Sequence, residues 1–468
     1  MSRPATPPSL APHVSLKERL YPHLPRGLQS MALGLEGWLQ RRERYGGDFA
    51  RRLAAYEQAD RLSPDEIHDL RRRKLRTIAT HAAREIPFWG SRFREAGLDP
   101  ERIEGPDDLA ALPVLTKAEI LAAGPALIAS GSDRKTLRKV HTSGTTGAGL
   151  VFFTTVDAIR DQWAVWWRYR RRHALDLTTW AATFAGRSIV PGGKDDPRPW
   201  RTNRPGRQVL FSQYHLRADN AHLYARAIAE RGLPWLHGYP SFVAYFAQLL
   251  AAGGIEAPRP SVITLGAENV FGTQARLIEE VFGVRPKQHY GLAEMVANAS
   301  ECALGRLHVD EDFAAVELAP AGDGMVRILG TSLGNFAMPF FRYDTGDLAR
   351  PLGTPCGCGL PGRVLEAIDG RSEDLLELAD GTRVGRLDHL FKDAVRVAEA
   401  QIRQSGPGRC TIAVVPRPGF TSADRDALLQ ECRARFGDRL EVGFELVEAI
   451  PRTARGKLRL VVRDEALR

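Results

Sequence analysis

Five stretches of this chain carry residue types that cannot build a core but can do chemistry. The first is His141-Thr142-Ser143-Gly144-Thr145-Thr146-Gly147-Ala148-Gly149-Leu150. Its hydroxyls and glycines offer backbone N–H groups, side-chain donors and a flexible turn, which is what a polyphosphate needs around it. It lacks the lysine and final Ser/Thr of a Walker loop, and such a run also makes an ordinary surface loop. The others are Gln288-His289-Tyr290-Gly291-Leu292-Ala293-Glu294, Phe341-Arg342-Tyr343-Asp344-Thr345-Gly346-Asp347, Gly370-Arg371-Ser372-Glu373-Asp374 and Pro451-Arg452-Thr453-Ala454-Arg455-Gly456-Lys457. A further set suits a metal. Cys302 and His308 are separated by five residues, and Cys356 and Cys358 follow after a β-rich insertion. Three cysteines and one histidine make a closed tetrahedral shell of the kind that holds structural Zn²⁺; the bland alternative is a pair of turn cysteines and an unrelated histidine.

Composition bounds what these groups can serve. The 468 residues suffice for two or three domains, and 43% hydrophobic with 26% charged residues is ordinary for a soluble globular protein. No apolar run reaches the ~18 residues of a membrane span, and the proline-rich start, Pro4 to Pro12, lacks the apolar core of a secretory signal. Five cysteines, an odd number, argue for a reducing compartment, so the expectation is cytoplasmic. Net charge is +9, yet no aromatic-interleaved basic module points to nucleic acid. The runs Arg71-Arg72-Arg73 and Arg168-Tyr169-Arg170-Arg171-Arg172 read as solvated helix faces, with an anionic small substrate as the partner. Only nine of the 65 basic residues are lysines. A position that keeps lysine, such as 457, is one where arginine is no substitute.

The elements that must position these groups follow from periodicity. Residues 1–25 read as an extended arm. Apolar spacing of three and four predicts helices within Leu28–Tyr56, Ser63–Ile86 and Thr116–Ile128. Ala158–His173 is another, with Trp163, Trp166 and Trp167 read as a buried helix face rather than an aromatic ligand wall. From about residue 178 short strands alternate with helices (Asn220–Arg231, Tyr239–Ala252, Gly272–Phe282), which implies parallel sheet flanked by helices. Val316–Leu318 and Met325–Leu329 give the region a β-rich end. The fold class is therefore α/β: a large N-terminal domain of mainly parallel sheets, residues 1–369, and a small mobile α+β C-terminal domain, residues 370–468. Cys410 and Cys432 fall on a strand and a helix face as core thiols.

In order and spacing the five stretches resemble the signature set of the adenylate-forming superfamily of acyl-CoA synthetases, adenylation domains and luciferases. Within it the chain is most similar to the phenylacetate–CoA ligase family, in its capsular-polysaccharide branch. Gly238-Tyr239-Pro240-Ser241, Gly266-Ala267-Glu268, Glu301-Cys302 with Leu307-His308-Val309, and Met338–Tyr343 carry that likeness. So do Ile86–Trp89 and Leu112–Lys117. The resemblance implies ATP-dependent activation of a carboxylic acid to an acyl-adenylate, then acyl transfer to CoA. Alternatives are transfer to an amine or hydroxyl, or a non-catalytic binding protein on this fold.

It also implies roles. Thr142, Ser143, Gly144, Thr145, Thr146 and Gly147 would cradle phosphates, with Thr145 among the catalytic groups. Tyr290, with His289 and Gly291 beside it, would stack on adenine near Gly266, Ala267 and Glu268. Glu294 would hold Mg²⁺, Asp347 the ribose hydroxyls, and Arg371 ribose or phosphate. Lys457 would bridge the substrate carboxylate and the α-phosphate. Tyr239, Ser241 and Ala267 are candidates for the acid pocket, and a homodimer is the family's expectation. Singly, Glu294 could be a cap, Asp347 a turn residue and Lys457 part of a basic tail. Two departures stand out: Ala148 occupies a position where relatives carry lysine, and Glu373 occupies the hinge position where they carry aspartate or lysine.

Overall fold

A computed structural model of the chain describes residues 20–463 apart from 142–149, 185–188, 191–195, 213–214, 323, 372–375, 380–382, 385–386, 392–393, 395 and 453–458. The helical N-terminal region forms where periodicity places it, and its ends are set by local chemistry. Ser63 and Glu66 close a capping box on the Pro64–Glu85 helix, and Thr116 and Glu119 do the same for Lys117–Ala123. The Leu28–Tyr56 region is two helices, Arg26–Tyr45 and Phe49–Ala59. Gly46-Gly47 breaks it, and Gly47 turns the chain at φ 60°.

The large sheet has twelve strands among the described residues. Gln208–Phe211, Ala181–Phe184, Trp235–Gly238, Val262–Leu265 and Lys287–Gly291 lie side by side and parallel. They are short, largely buried runs linked through helices, as buried parallel sheet requires. Trp200–Asn203 adds an antiparallel edge. Beyond Lys287–Gly291 successive strands of the sheet pair antiparallel: Asn298–Glu301, Leu307–Val309, Val364–Arg371, Tyr343–Pro351, Met325–Ser332 and Ala314–Gly322. This second half is the β-rich end that the hairpin patterns predict. Lys287–Gly291 is the seam between the two.

One face of the parallel strands is covered by the Ala221–Glu230, Pro240–Ala252 and Gly272–Phe282 helices, with Phe184, Leu236, Phe246 and Ile263 in the shared core. The other face receives the Val156–Arg172 helix through Trp167, Trp235, Met295 and Ala297. A separate four-stranded sheet, Glu441–Leu446, Arg409–Pro416, Val397–Gly406 and Val461–Arg463, packs with the Ser422–Phe436 helix around its own core. Cys410 and Cys432 lie in that core, and burial pushes the Cys410 thiol up to about 12. Against the large unit, the Arg452 guanidinium sits 5.7 Å over the Phe242 ring. A cleft of about 240 Å³ opens there, lined by Tyr245, Phe271, Val397 and Glu399. Among the described residues no helix is long and apolar enough to cross a membrane.

The arginines of the Val156–Arg172 helix overturn their reading as a solvated face. Arg168 is 3% exposed and its guanidinium grips Asp312 with two hydrogen bonds (2.6 and 2.9 Å) and Asp310 with one (2.8 Å). The other oxygen of Asp310 accepts from Asn298 (2.5 Å) and Ser300 (2.6 Å), and Asn298 in turn accepts from the Trp166 indole (2.9 Å). The ion pairs and hydrogen bonds together fasten the helix to the seam. Removing Arg168 leaves Asp312 without its counter-charge and Asp310 with only Arg172 at 3.9 Å, and breaking a buried pair in this way costs about 3–5 kcal/mol. Arg168→Met is therefore expected to lower stability by that amount in urea unfolding; a loss under about 1 kcal/mol would show that the pair does not hold the helix.

Candidate active site

In parallel sheet, ligands bind beyond the carboxyl ends of the strands, most often where strand order or direction changes. Lys287–Gly291 is such a place, parallel to one neighbour and antiparallel to the other. The carboxyl ends of three adjacent strands meet there, at Gly238, at Leu265 leading into Gly266-Ala267-Glu268, and at Tyr290-Gly291. Ala267 sits at φ 67°, a left-handed conformation that costs a residue with a Cβ and recurs at functional sites. Gly266 has no room for a side chain, since an added Cβ would stand 3.1 Å from the His289 ring. Gly291 is tighter still, with Asn298 Oδ1 at 2.7 Å and the Trp166 nitrogen at 3.1 Å from that position.

Tyr290 and Asp347 are joined directly. The Tyr290 hydroxyl donates to Asp347 Oδ2 at 2.6 Å, tying the seam strand to Tyr343–Pro351. Burial and the nearby carboxylates of Asp347 and Glu294 push the phenol well above its usual value, so it stays a donor. Asp347 is 7% exposed, and its amide donates to Thr345 Oγ1 (3.1 Å) at a turn where Gly346 takes φ 73°. In the antiparallel register Asp347 stands opposite Arg371. The sequence-predicted nucleotide residues Tyr290, Asp347 and Arg371 thus come together at one place, with Glu294 buried nearby at 8% exposure.

The predicted metal ligands also converge. The ligand atoms of Cys302, His308, Cys356 and Cys358 all lie within 4.8 Å of one another. Cys302 Sγ is 3.9 Å from Cys356 Sγ, and Cys358 Sγ is 3.3 Å from His308 Nε2. Tetrahedral Zn–S bonds of ~2.3 Å give S···S edges of roughly 3.8 Å, so the cluster fits. His308 Nδ1 lies 3.1 Å from the Pro361 carbonyl, a contact that leaves Nε2 to ligate.

Thr142–Gly147, Glu373 and Lys457 lie outside the described residues, as do the side chains of Arg371 and Ser241. The Tyr239 ring packs near Phe242, 6.5 Å between centroids. Three residues the sequence reading passed over stand beside the site: His237 and Thr264, paired across neighbouring strands, and Arg170. A signal for Arg170 existed. Trp163, Trp167 and Arg170 follow a spacing of four and three, which puts the guanidinium on the tryptophan face.

The chain resembles known proteins in sequence and in fold. Residues 376–464 match a family model described as the CapK C-terminal domain. Protein CapK of Staphylococcus aureus is 22% identical over 95% of this chain and 99% of its own length. The phenylacetate-coenzyme A ligase of Thermus thermophilus is 24% identical over 86% of this chain and 98% of its own. A structure of 2-hydroxyisobutyryl-CoA ligase in the postadenylation state, with R3-HIB-AMP, superposes at a TM-score of 0.68 and 17% identity. It covers 87% of this chain and 92% of that one. The chain is a relative of CapK and of phenylacetate–CoA ligases and has the fold of an adenylate-forming ligase.

The close approach at Gly291 yields a test of the site's packing. Gly291→Ala drives a methyl into the Trp166–Asn298 hydrogen bond, and overpacking of this kind costs about 1–3 kcal/mol. Thermal unfolding of the variant is expected several degrees below wild type; an unchanged midpoint would contradict the packing.

Proposed function

We propose that this relative of CapK and the phenylacetate–CoA ligases activates a carboxylic acid with ATP and hands the acyl group to CoA. The observation that carries the reading is the Tyr290–Asp347 hydrogen bond at the seam, beside Gly266-Ala267-Glu268 and opposite Arg371 in register. A flat ring, a carboxylate and an irregular glycine-bearing turn suit an adenine, a ribose diol and the edge of a base.

The chemistry runs in two displacements. A carboxylate oxygen of the acid attacks the α-phosphorus of ATP, a P–O bond to pyrophosphate breaks, and acyl-AMP forms. The thiol of CoA then attacks the acyl carbon, giving up its proton, and AMP leaves as a phosphate anion. Negative charge crowds the first step, so rate depends on fixed positive and donor groups around it. Thr142–Gly147 supply backbone donors for the phosphates, the more so because Ala148 brings no charge. Asp347 orients the ribose, and the Tyr290 hydroxyl holds that carboxylate in place. Lys457, a compact cation, neutralises charge between the acid and the α-phosphate. Glu294 offers a hard oxygen to Mg²⁺, which when bound offsets phosphate charge. Residues 370–468 act as a lid that brings Lys457 over the site, with Glu373 at the hinge. Cys302, His308, Cys356 and Cys358 hold Zn²⁺ as a structural clamp between three segments of the antiparallel half.

Three measurements test these assignments. ATP–pyrophosphate exchange over a panel of carboxylic acids, followed by trials with CoA, amines and hydroxyls, identifies both substrates. Lys457→Ala is expected to lose exchange by roughly 100-fold or more with its unfolding midpoint unchanged; exchange at the wild-type rate would remove Lys457 from the mechanism. Elemental analysis is expected to find one zinc per chain, with a lower unfolding midpoint after chelation. Metal-free protein of undiminished stability would remove the clamp.

A further inference from the structure

The Val156–Arg172 helix presents one group with no task so far. Arg168, Arg172, Arg201 and Arg342 are largely buried and each meets a carboxylate. Arg170 is 5% exposed and meets none among the described residues. Its guanidinium carbon lies 5.0 Å from the Trp167 ring, 5.4 Å from Trp163 and 5.4 Å from Trp235. Aromatic faces attract the charge but accept no hydrogen bond in the guanidinium plane, and buried charges are ordinarily paired. Arg44, 4.1 Å over Trp163, makes the region more positive.

The neighbours of Arg170 are also short of partners. Among the described residues His289 Nδ1, the Tyr169 hydroxyl and the Trp167 indole nitrogen are buried with no hydrogen-bond partner. Tyr169 and His289 rings are 5.3 Å apart. On the same sheet face His237 Nδ1 is 2.8 Å from Thr264 Oγ1, which accepts the Trp235 indole N–H at 2.7 Å. Burial, reinforced by the charge of Arg170, pushes both His237 and His289 down to about 3, so neither ring carries charge at neutral pH. Unsatisfied buried groups gathered in one place mark the absence of a partner. The place is next to the proposed nucleotide site: His289 precedes Tyr290, and a Cβ at Gly266 would stand 3.1 Å from the His289 ring.

We propose that this cluster is the far end of the acid pocket, and that the acid carries a second carboxylate which pairs with Arg170. The inference rests on the adenylation reading for the first carboxylate. The second supplies the charge and the acceptor oxygens that Arg170, Tyr169 and Trp167 lack, while the Thr264-anchored His237 and His289 shape the wall. A monocarboxylic acid would leave Arg170 buried and unpaired in the complex.

The test uses matched pairs of aliphatic and aromatic dicarboxylic acids and their monomethyl esters. Wild-type ATP–pyrophosphate exchange is expected to favour the diacids by 100-fold or more in kcat/KM. Arg170→Met is expected to lose that preference, and Arg170→Lys to restore part of it. Thermal shift with the acids alone, without ATP, reads the pocket independently: diacids should raise the wild-type midpoint and leave that of Arg170→Met unmoved. If Arg170→Met does not fold, His289→Leu takes its place in both assays. Equal exchange of diacids and half-esters, or a preference that survives Arg170→Met, overturns the proposal while leaving adenylation standing. Exchange with no acid at all defeats adenylation, and the thermal shift then decides the anion pocket alone.

Discussion

The contact on which most of the architecture depends is the buried ion cluster of Arg168 with Asp310 and Asp312. Charges are expensive to bury, and this cluster repays the expense because both terminal nitrogens of Arg168 and both oxygens of each aspartate are paired or hydrogen-bonded. The two aspartates sit just beyond the Leu307–Val309 strand, Asn298 and Ser300 lie on its neighbour, and Arg168 comes from a helix more than a hundred residues earlier. Closing the cluster fixes the helix in rotation as well as in place. With Arg168 pointed at the aspartates, Trp166 must reach Asn298 and Arg170 must enter the tryptophan face. One polar anchor therefore aims the side chains that border the site.

The seam strand is the second constraint. Because Lys287–Gly291 is parallel on one side and antiparallel on the other, no further helix crosses over beyond it, and the carboxyl ends of the parallel strands stay open. Glycines at 266 and 291 let the backbone and the helix side chains close up beneath that opening. The antiparallel half contributes Asp347 from its fourth strand counted from the seam, and the Tyr290 hydroxyl joins the halves there. On the proposed reading binding and chemistry are divided: the large unit would arrange a nucleotide, and Lys457 would supply its cation from residues 370–468.

Much of this was legible in the sequence, for physical reasons. Gly272–Phe282 and Ser422–Phe436 were readable to the residue because a glycine or capping box ends each one. Tyr290, Asp347 and Arg371 stood out in polar, glycine-bearing segments that resemble the superfamily's motifs, and the sheet brings their positions together. The four zinc-type ligands were readable by residue type alone. What escaped was set by tertiary context. A run of five residues with four arginines looks solvated until the acids that neutralise Arg168 arrive from 140 residues away. His237 and Thr264 sit in short apolar strands where nothing in the local pattern separates a pocket wall from a satisfied core. Arg170 was visible in the helical spacing, yet its lack of a carboxylate could be recognised only once its neighbours were in place.

The central claim is that the seam holds a nucleotide through Tyr290 and Asp347. A crystal structure of the full chain with a non-hydrolysable acyl-adenylate analogue addresses it directly. The account predicts the adenine ring lying on Tyr290 and both ribose hydroxyls within hydrogen-bond distance of Asp347. An analogue bound elsewhere, or a ribose with no contact to Asp347, would contradict it.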